Sequence, residues 1–137
     1  MPGVFTMRTM EDVAAIRASV ASHPATASVI GGGLLGLEAA RSLKEAGAER
    51  VRVFEIAPWL LPRQLDQTGA GLLRSRFADM GIEIVCSAET AEFLPAEGDP
   101  SRAGFIKLRD GQEFPSDTTI LSMGVRPNAE LAQAIGL

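Results

Sequence analysis

Glycines at Gly31, Gly33 and Gly36 follow two apolar residues, Val29 and Ile30, and open directly into a helical pattern. This arrangement restricts the chain more than any other feature. The second strand pattern, Val51-Arg52-Val53-Phe54, ends in Glu55. The order is strand, glycine turn, helix, strand, carboxylate, with the acid about 20 residues past the last glycine, as the dinucleotide fingerprint requires. Each position has a mechanical reason. Gly31 allows a tight turn out of the strand. Gly33 lacks a Cβ, so a pyrophosphate can approach the backbone. Gly36 lets the helix lie close on the strand. Gly32, Leu34 and Leu35 complete the turn, and the helix start offers free N–H groups and a positive dipole end to phosphates. Glu55 can accept hydrogen bonds from both hydroxyls of an adenosine ribose. A glycine-rich turn that binds nothing is the simpler alternative; the flanking strands and the acid argue against it.

The length of 137 residues suits one domain with a core. Hydrophobic residues make up 46% and the net charge is −4, with no basic cluster, so the expectation is a globular chain with no nucleic-acid partner. No charged-then-apolar leader pattern opens the chain, and no apolar run approaches the roughly 18 residues of a membrane helix. The cytoplasm is the expected compartment. Cys86 is the sole cysteine. One thiol builds no intrachain disulfide, iron–sulfur cluster or zinc site, and the expectation is a thiol packed near a strand end. His23 is the sole histidine. It precedes Pro24 at an expected helix end, where it could face free carbonyls. No metal site and no catalytic residue is expected.

The rest of the pattern sets the fold. Residues 4–9 read as extended. Thr9 with Asp12 resembles a capping box ahead of a helix carrying Val13, Ile16 and Val20, closed by Pro24. Residues 27–30 are the first core strand. Residues 35–46 form a helix with Ala39, Ala40, Leu43 and Ala46 inward and Gly47 as its stop. The stretch 56–62 is a proline-punctuated loop with Trp59, Leu60 and Leu61 expected at the surface. Residues 66–80 form a helix with Leu72, Leu73, Phe77 and Met80 inward, followed by a strand at 82–85. Short strands at 90–94, 105–109 and 112–114 surround a loop at Gly98-Asp99-Pro100 and a turn at Asp110-Gly111, the latter a hairpin signal. An apolar strand returns at 118–122, and a short helix spans 129–134. The sum is an α/β, Rossmann-like open parallel sheet. Helices cover one face and a three-stranded antiparallel ribbon covers the other. Ligands of such sheets bind beyond the carboxyl ends of the strands, where Gly31 to Gly36, Glu55 to Pro58 and Met123 to Pro127 collect.

These residues resemble a known family. Residues 29–40, the late Gly124-Val125-Arg126-Pro127-Asn128 and the Asp110-Gly111 ribbon look like the NAD(P)H-binding domain of the two-dinucleotide-domain flavoprotein reductases. Pro62-Arg63-Gln64-Leu65-Asp66 with Leu72-Leu73, and the helix that Thr9-Met10-Glu11-Asp12 opens, narrow the resemblance to rubredoxin reductases and the large subunit of NAD(P)H-dependent nitrite reductases. It implies a single domain, 1–137, of a larger FAD-dependent reductase, with FAD-binding and interface domains as partners. It also implies hydride transfer from nicotinamide to flavin in that parent, with nitrite, rubredoxin or another acceptor downstream. By position, Gly31, Gly33 and Gly36 match the pyrophosphate turn, Glu55 the ribose acid, Glu38 a glutamate near nicotinamide and flavin, and Gly124 a glycine lining the same edge. Glu38 reads equally as an exposed carboxylate favoured by the helix dipole and paired with Arg41 at i+3. Arg126 reads as a loop anchor and Arg63 as a solvated charge.

With one fingerprint, assigned to nicotinamide, the isolated chain is expected to hold no flavin and to be inactive. Glu55, followed by Ile56-Ala57-Pro58 with no cation, favours NADH over NADPH. Apolar surface exposed by the absence of partner domains would favour a homo-oligomer. Two alternatives stay open from the residues: a stand-alone dinucleotide-binding or sensing module without catalysis, and a fragment acting only through protein contacts.

Overall fold

A computed structural model describes residues 1–124 and 128–136. In chain order the elements are β1 (Val4–Phe5), α1 (Met10–Ser22), β2 (Thr26–Ile30), α2 (Leu34–Glu45), β3 (Arg50–Phe54), α3 (Gln67–Asp79), β4 (Ile82–Val85), β5 (Thr90–Ala96), β6 (Asp99–Leu108), β7 (Glu113–Pro115), β8 (Thr118–Leu121) and α4 (Glu130–Ala134). Five strands form a parallel sheet in the order β1-β8-β2-β3-β4, and β5-β6-β7 form a separate antiparallel sheet.

Strand alternation sorts the side chains between the two faces of the parallel sheet. Val29, Val51, Val53, Ile82, Ile84 and Ile120 point to the helix side. There they form one core with Ile16 and Val20 of α1, Leu37, Ala39, Ala40 and Leu43 of α2, and Ala70 and Phe77 of α3. Ala39 and Ala40 are fully buried, and their small size lets α2 lie close on β2 and β3. The opposite face carries Ile30 and Phe54, which pack with Ile106, Leu108 and Ala88 into a second core under the ribbon. The Phe54 and Phe114 rings meet edge to face with centroids 5.1 Å apart. Arg52 also points to this side. Its guanidinium lies 5.3 Å from the Phe114 ring centroid, and its Nε donates to Glu83 at 2.6 Å. The α/β architecture with helices on one face and the ribbon on the other therefore stands as expected.

Local signals at the helix starts are realised in detail. Thr9 Oγ1 accepts the Asp12 N–H while the Asp12 carboxylate accepts the Thr9 and Arg8 N–H groups. Asp66, expected as the first helical residue, instead caps α3 through the Gly69 N–H at 2.8 Å. His23 closes α1 with its backbone N–H on the Ser19 carbonyl, and its side chain is exposed.

Several expectations are corrected. The extended start is only β1, pairing Val4 with Thr119. The expected Gly98-Asp99-Pro100 loop is a tight turn at Glu97-Gly98 flanked by longer strands, so Asp99 and Pro100 belong to β6. Pro95 and Pro100 cannot donate to the ladder, and the pairing there shifts register; this interrupts the alternation that would reveal the strands. In α3, Leu72 is 70% exposed and Met80 40%, whereas Ala70 and Phe77 are buried and Leu73 packs on the core. Docking against β4 keeps Leu73 and Phe77 of the expected stripe, leaves out Leu72 and Met80, and adds Ala70. Ala46 is exposed, with Leu37 taking its place inside.

The loop after β3 is also corrected. Leu60 is 1% exposed, and Trp59 and Leu61 pack on the helix-side core. The loop folds inward because Leu61 takes a left-handed backbone conformation at φ 51 and its carbonyl accepts the N–H groups of Gln64 and Leu65. The Trp59 indole N–H then donates to the Leu65 carbonyl at 3.2 Å. Among the described residues no helix is long and apolar enough to cross a membrane.

Candidate functional site

The carboxyl ends of β2, β3 and β8 converge on one edge. The Gly31 N–H donates to the Phe54 carbonyl at 2.8 Å, and the Ser122 N–H donates to the Ile30 carbonyl at 2.8 Å. Gly31 has φ 112, and a Cβ there would overlap the Ser122 carbonyl. A Cβ on Gly36 would overlap the Gly31 carbonyl oxygen. Two of the three motif glycines thus serve backbone-to-backbone packing of α2 on β2 and β8. The third differs. Gly33 caps α2 in an extended conformation, offers no side-chain hydrogen bond, and has nothing within 4 Å of where a Cβ would stand. Thr9 and Asp66 cap α1 and α3, so their first-turn donors are partly satisfied. The start of α2 has neither a side-chain cap nor an acidic residue, and the space over Gly33 is open, which leaves its free N–H groups for an anion.

Gly32 lies buried beneath the loop, between Leu60 and Glu55. Its N–H donates to Glu55 Oε2 at 2.6 Å, and the Ala57 N–H donates to Oε1 at 2.8 Å. Two backbone donors therefore hold the Glu55 carboxylate beside the glycine turn. A carboxylate offers about four lone-pair sites, so acceptor capacity remains on both oxygens.

A cleft of about 510 Å³ opens above this edge, lined in part by Gly31, Gly33, Glu55, Ser122, Met123 and Gly124. Leu34, Leu35 and Glu38 sit on the exposed start of α2, outside the cleft wall. Glu38 does not pair with Arg41, whose Nε instead meets Glu45 at 2.9 Å. Val125, Arg126 and Pro127 lie outside the described residues, so the anchor reading of Arg126 has no structural counterpart here. Ile56 lines the cleft as the strand-end pattern expects, and so do Ala88, Glu89 and Thr90, which no motif flags. The chain leaving β4 delivers the last three. The Ser87 N–H donates to the Ala57 carbonyl and the Ala88 N–H to the Glu55 carbonyl, both at 2.9 Å. Their only sequence signal is position, just beyond the strand that neighbours β3. A separate groove of about 330 Å³ runs between α1 and α2 on the helix layer, away from the strand ends.

The family model for pyridine nucleotide-disulphide oxidoreductases matches residues 1–137. The chain belongs to that family. Among relatives, the nitrite reductase (NADH) large subunit of Escherichia coli (strain K12) is 42% identical over 133 residues, covering 97% of this chain and 15% of that protein. The rubredoxin-NAD(+) reductase of Ectopseudomonas oleovorans is 31% identical over 137 residues, covering 100% of this chain and 34% of that protein. An NAD-dependent persulfide reductase from A. fulgidus superposes with a TM-score of 0.84 at 30% identity, over 98% of this chain and 24% of that one. A ferredoxin reductase from Rhodopseudomonas palustris superposes with a TM-score of 0.84 at 32% identity, over 100% of this chain and 33% of that one. This family member thus spans a small part, between 15% and 34%, of each of these relatives.

Among the described residues no group of three or more His, Cys, Asp or Glu could hold a metal ion. Cys86 is half-buried and packs against the helix-side core. Burial pushes its thiol above the ordinary value, and the nearby Glu55 charge adds to this while Arg74 opposes it. A raised value means less thiolate at a given pH. Alkylation by iodoacetamide at pH 8 is therefore expected to run about threefold to tenfold slower than for free cysteine. Unfolding in urea should restore the free rate, and equal rates in the folded chain would contradict the burial argument.

Proposed function

We propose that this chain binds NADH as the nicotinamide-dinucleotide domain of an FAD-dependent oxidoreductase akin to nitrite reductase large subunits or rubredoxin reductases. One observation carries the reading: the uncapped N-terminus of α2 faces open space across Gly33, with the Glu55 carboxylate fixed beside it. The helix N–H groups would hold the pyrophosphate and Glu55 the adenosine ribose. Gly124 and Met123, at the end of β8, would line the nicotinamide side. When bound, the dinucleotide supplies a hydride; the residues here bind and orient it and provide no nucleophile or general base. One fingerprint is present and the dinucleotide accounts for it, so FAD is assigned to a partner domain of the parent protein. The exposed Leu34, Leu35 and Met123, near the cleft mouth, suit contact with that domain.

The test is Gly33→Val with calorimetric titration of NADH. The Cβ space is open and the backbone is extended, so the thermal melt should move little. The added side chain would occupy the pyrophosphate position and cost about tenfold in affinity, the equivalent of one charge-assisted hydrogen bond. Unchanged NADH affinity in this variant, or no NADH binding by the wild type, would overturn the proposal.

A further inference from the structure

The wall of the cleft contributed by the chain after β4 carries a second carboxylate, and it is tied to a cation. Strand β4 lies beside β3, with Val85 opposite Phe54, and Ala88 donates its N–H to the Glu55 carbonyl. Glu89, the next residue, lines the same cleft as Glu55. Its Oε1 accepts Arg109 Nε at 2.7 Å, and its backbone carbonyl accepts the Arg109 N–H at 2.8 Å. Arg109 stands in the turn between β6 and β7, so the ribbon carries it across to the cleft. No lysine or arginine lines the cleft among the described residues. Arg109 is therefore a guanidinium fastened to the cleft wall but turned into an ion pair, and both partners are solvent-exposed. Solvent-exposed pairs contribute little to stability, so this one is free to be altered without loss of the fold.

We propose that the Glu89–Arg109 pair is a second determinant of coenzyme choice. Glu89 engages the Arg109 guanidinium and withholds it from a ribose 2′-phosphate, while Glu55 accepts the free ribose hydroxyls. The inference rests on the dinucleotide reading of the cleft. It differs from the role of Glu55, which repels the phosphate directly: here a carboxylate acts by neutralising a cation that would otherwise attract it.

The two halves of the pair predict opposite signs. In calorimetric titrations at low ionic strength, Glu89→Gln leaves Arg109 uncompensated beside the cleft. The ratio of the NADPH to the NADH dissociation constant should then fall about threefold to tenfold. Arg109→Ala leaves Glu89 uncompensated and should raise that ratio about twofold to threefold. The double variant should return near the wild-type value, and moderate salt, about 0.5 M, should collapse the differences. An unchanged ratio in Glu89→Gln overturns the proposal even if NADH binds well, as does a shift of the same sign in both single variants. If the wild type binds neither coenzyme, the dinucleotide reading falls first and this inference with it.

Discussion

Gly36→Ala is expected to destabilise the folded chain by about 3 kcal/mol or more, and to lower the melting temperature by roughly 10 °C. The new Cβ would be driven into the Gly31 carbonyl oxygen, with the Ser122 hydroxyl only 3.4 Å away on another side. Neither neighbour can yield cheaply. The Gly31 N–H is bonded to Phe54 of β3, and Ser122 is bonded through its N–H to Ile30 of β2. Relief requires α2 to lift from the sheet, which would expose Ala39, Ala40 and Leu43. Gly71→Ala is the matched comparison. It lies within α3 with nothing within 4 Å of its would-be Cβ. There the same added methyl removes unfolded-chain entropy, and a gain of about 0.5–1 kcal/mol is expected. Thermal or urea denaturation of the two variants checks both signs. A Gly36→Ala chain as stable as the parent would mean that the turn relaxes without cost and that the glycine is not there for packing.

The second large effect concerns Glu55→Ala, expected to weaken NADH binding about tenfold to a hundredfold, since hydrogen bonds to a charged group contribute about 1.5–3 kcal/mol. NADPH should lose less affinity or gain some, because like-charge repulsion of the 2′-phosphate disappears with the carboxylate. Among the described residues no unpaired cation stands by to replace that repulsion with attraction: Ile56, Ala57 and Pro58 follow, Arg109 is held by Glu89, and Arg52 is engaged with Glu83 and the Phe114 ring on the ribbon side of the sheet. The substitution also leaves the buried Gly32 N–H without its acceptor, so it costs the fold about 1–3 kcal/mol. Glu55→Gln separates the two roles. Its carbonyl oxygen can keep the Gly32 bond, while its NH₂ offers no acceptor to Ala57 and no charge to the ribose. Calorimetric titration of both coenzymes, with melts of both variants, decides the matter. Equal losses for NADH and NADPH would remove Glu55 from the ribose position.

Legibility in the sequence followed the range of the interactions involved. The capping box of Thr9 and Asp12 spans three residues, so its chemistry is written in neighbouring letters. The same holds for the Asp110-Gly111 turn, where Gly111 has φ 90 and its N–H returns to the Leu108 carbonyl. Leu60 and Leu72 are the instructive reversals. An apolar residue in a proline-rich loop and an apolar residue on a helix present the same local evidence as core and surface alike. Leu60 is buried because it covers Gly32, and Leu72 is exposed because β4 receives Leu73 and Phe77. Both outcomes depend on residues far away along the chain.

The amino-acid sequence by itself determined the alternating strands and helices, the glycine turn between β2 and α2, and the placement of a carboxylate at the end of β3. Each follows from backbone sterics, side-chain period and helix-end hydrogen bonding, which act over a few residues. Tertiary structure decided what surrounds that turn. The sheet order β1-β8-β2-β3-β4 brings the late strand β8 against β2, so that the Ser122 carbonyl stands where a Cβ on Gly31 would be. The adjacency of β4 to β3 brings Ala88 to Glu55, and the ribbon folds back to set Arg109 on Glu89. These contacts join segments whose local patterns carry no mark of each other, because strand order is set by the burial of two whole sheet faces rather than by any short stretch of chain.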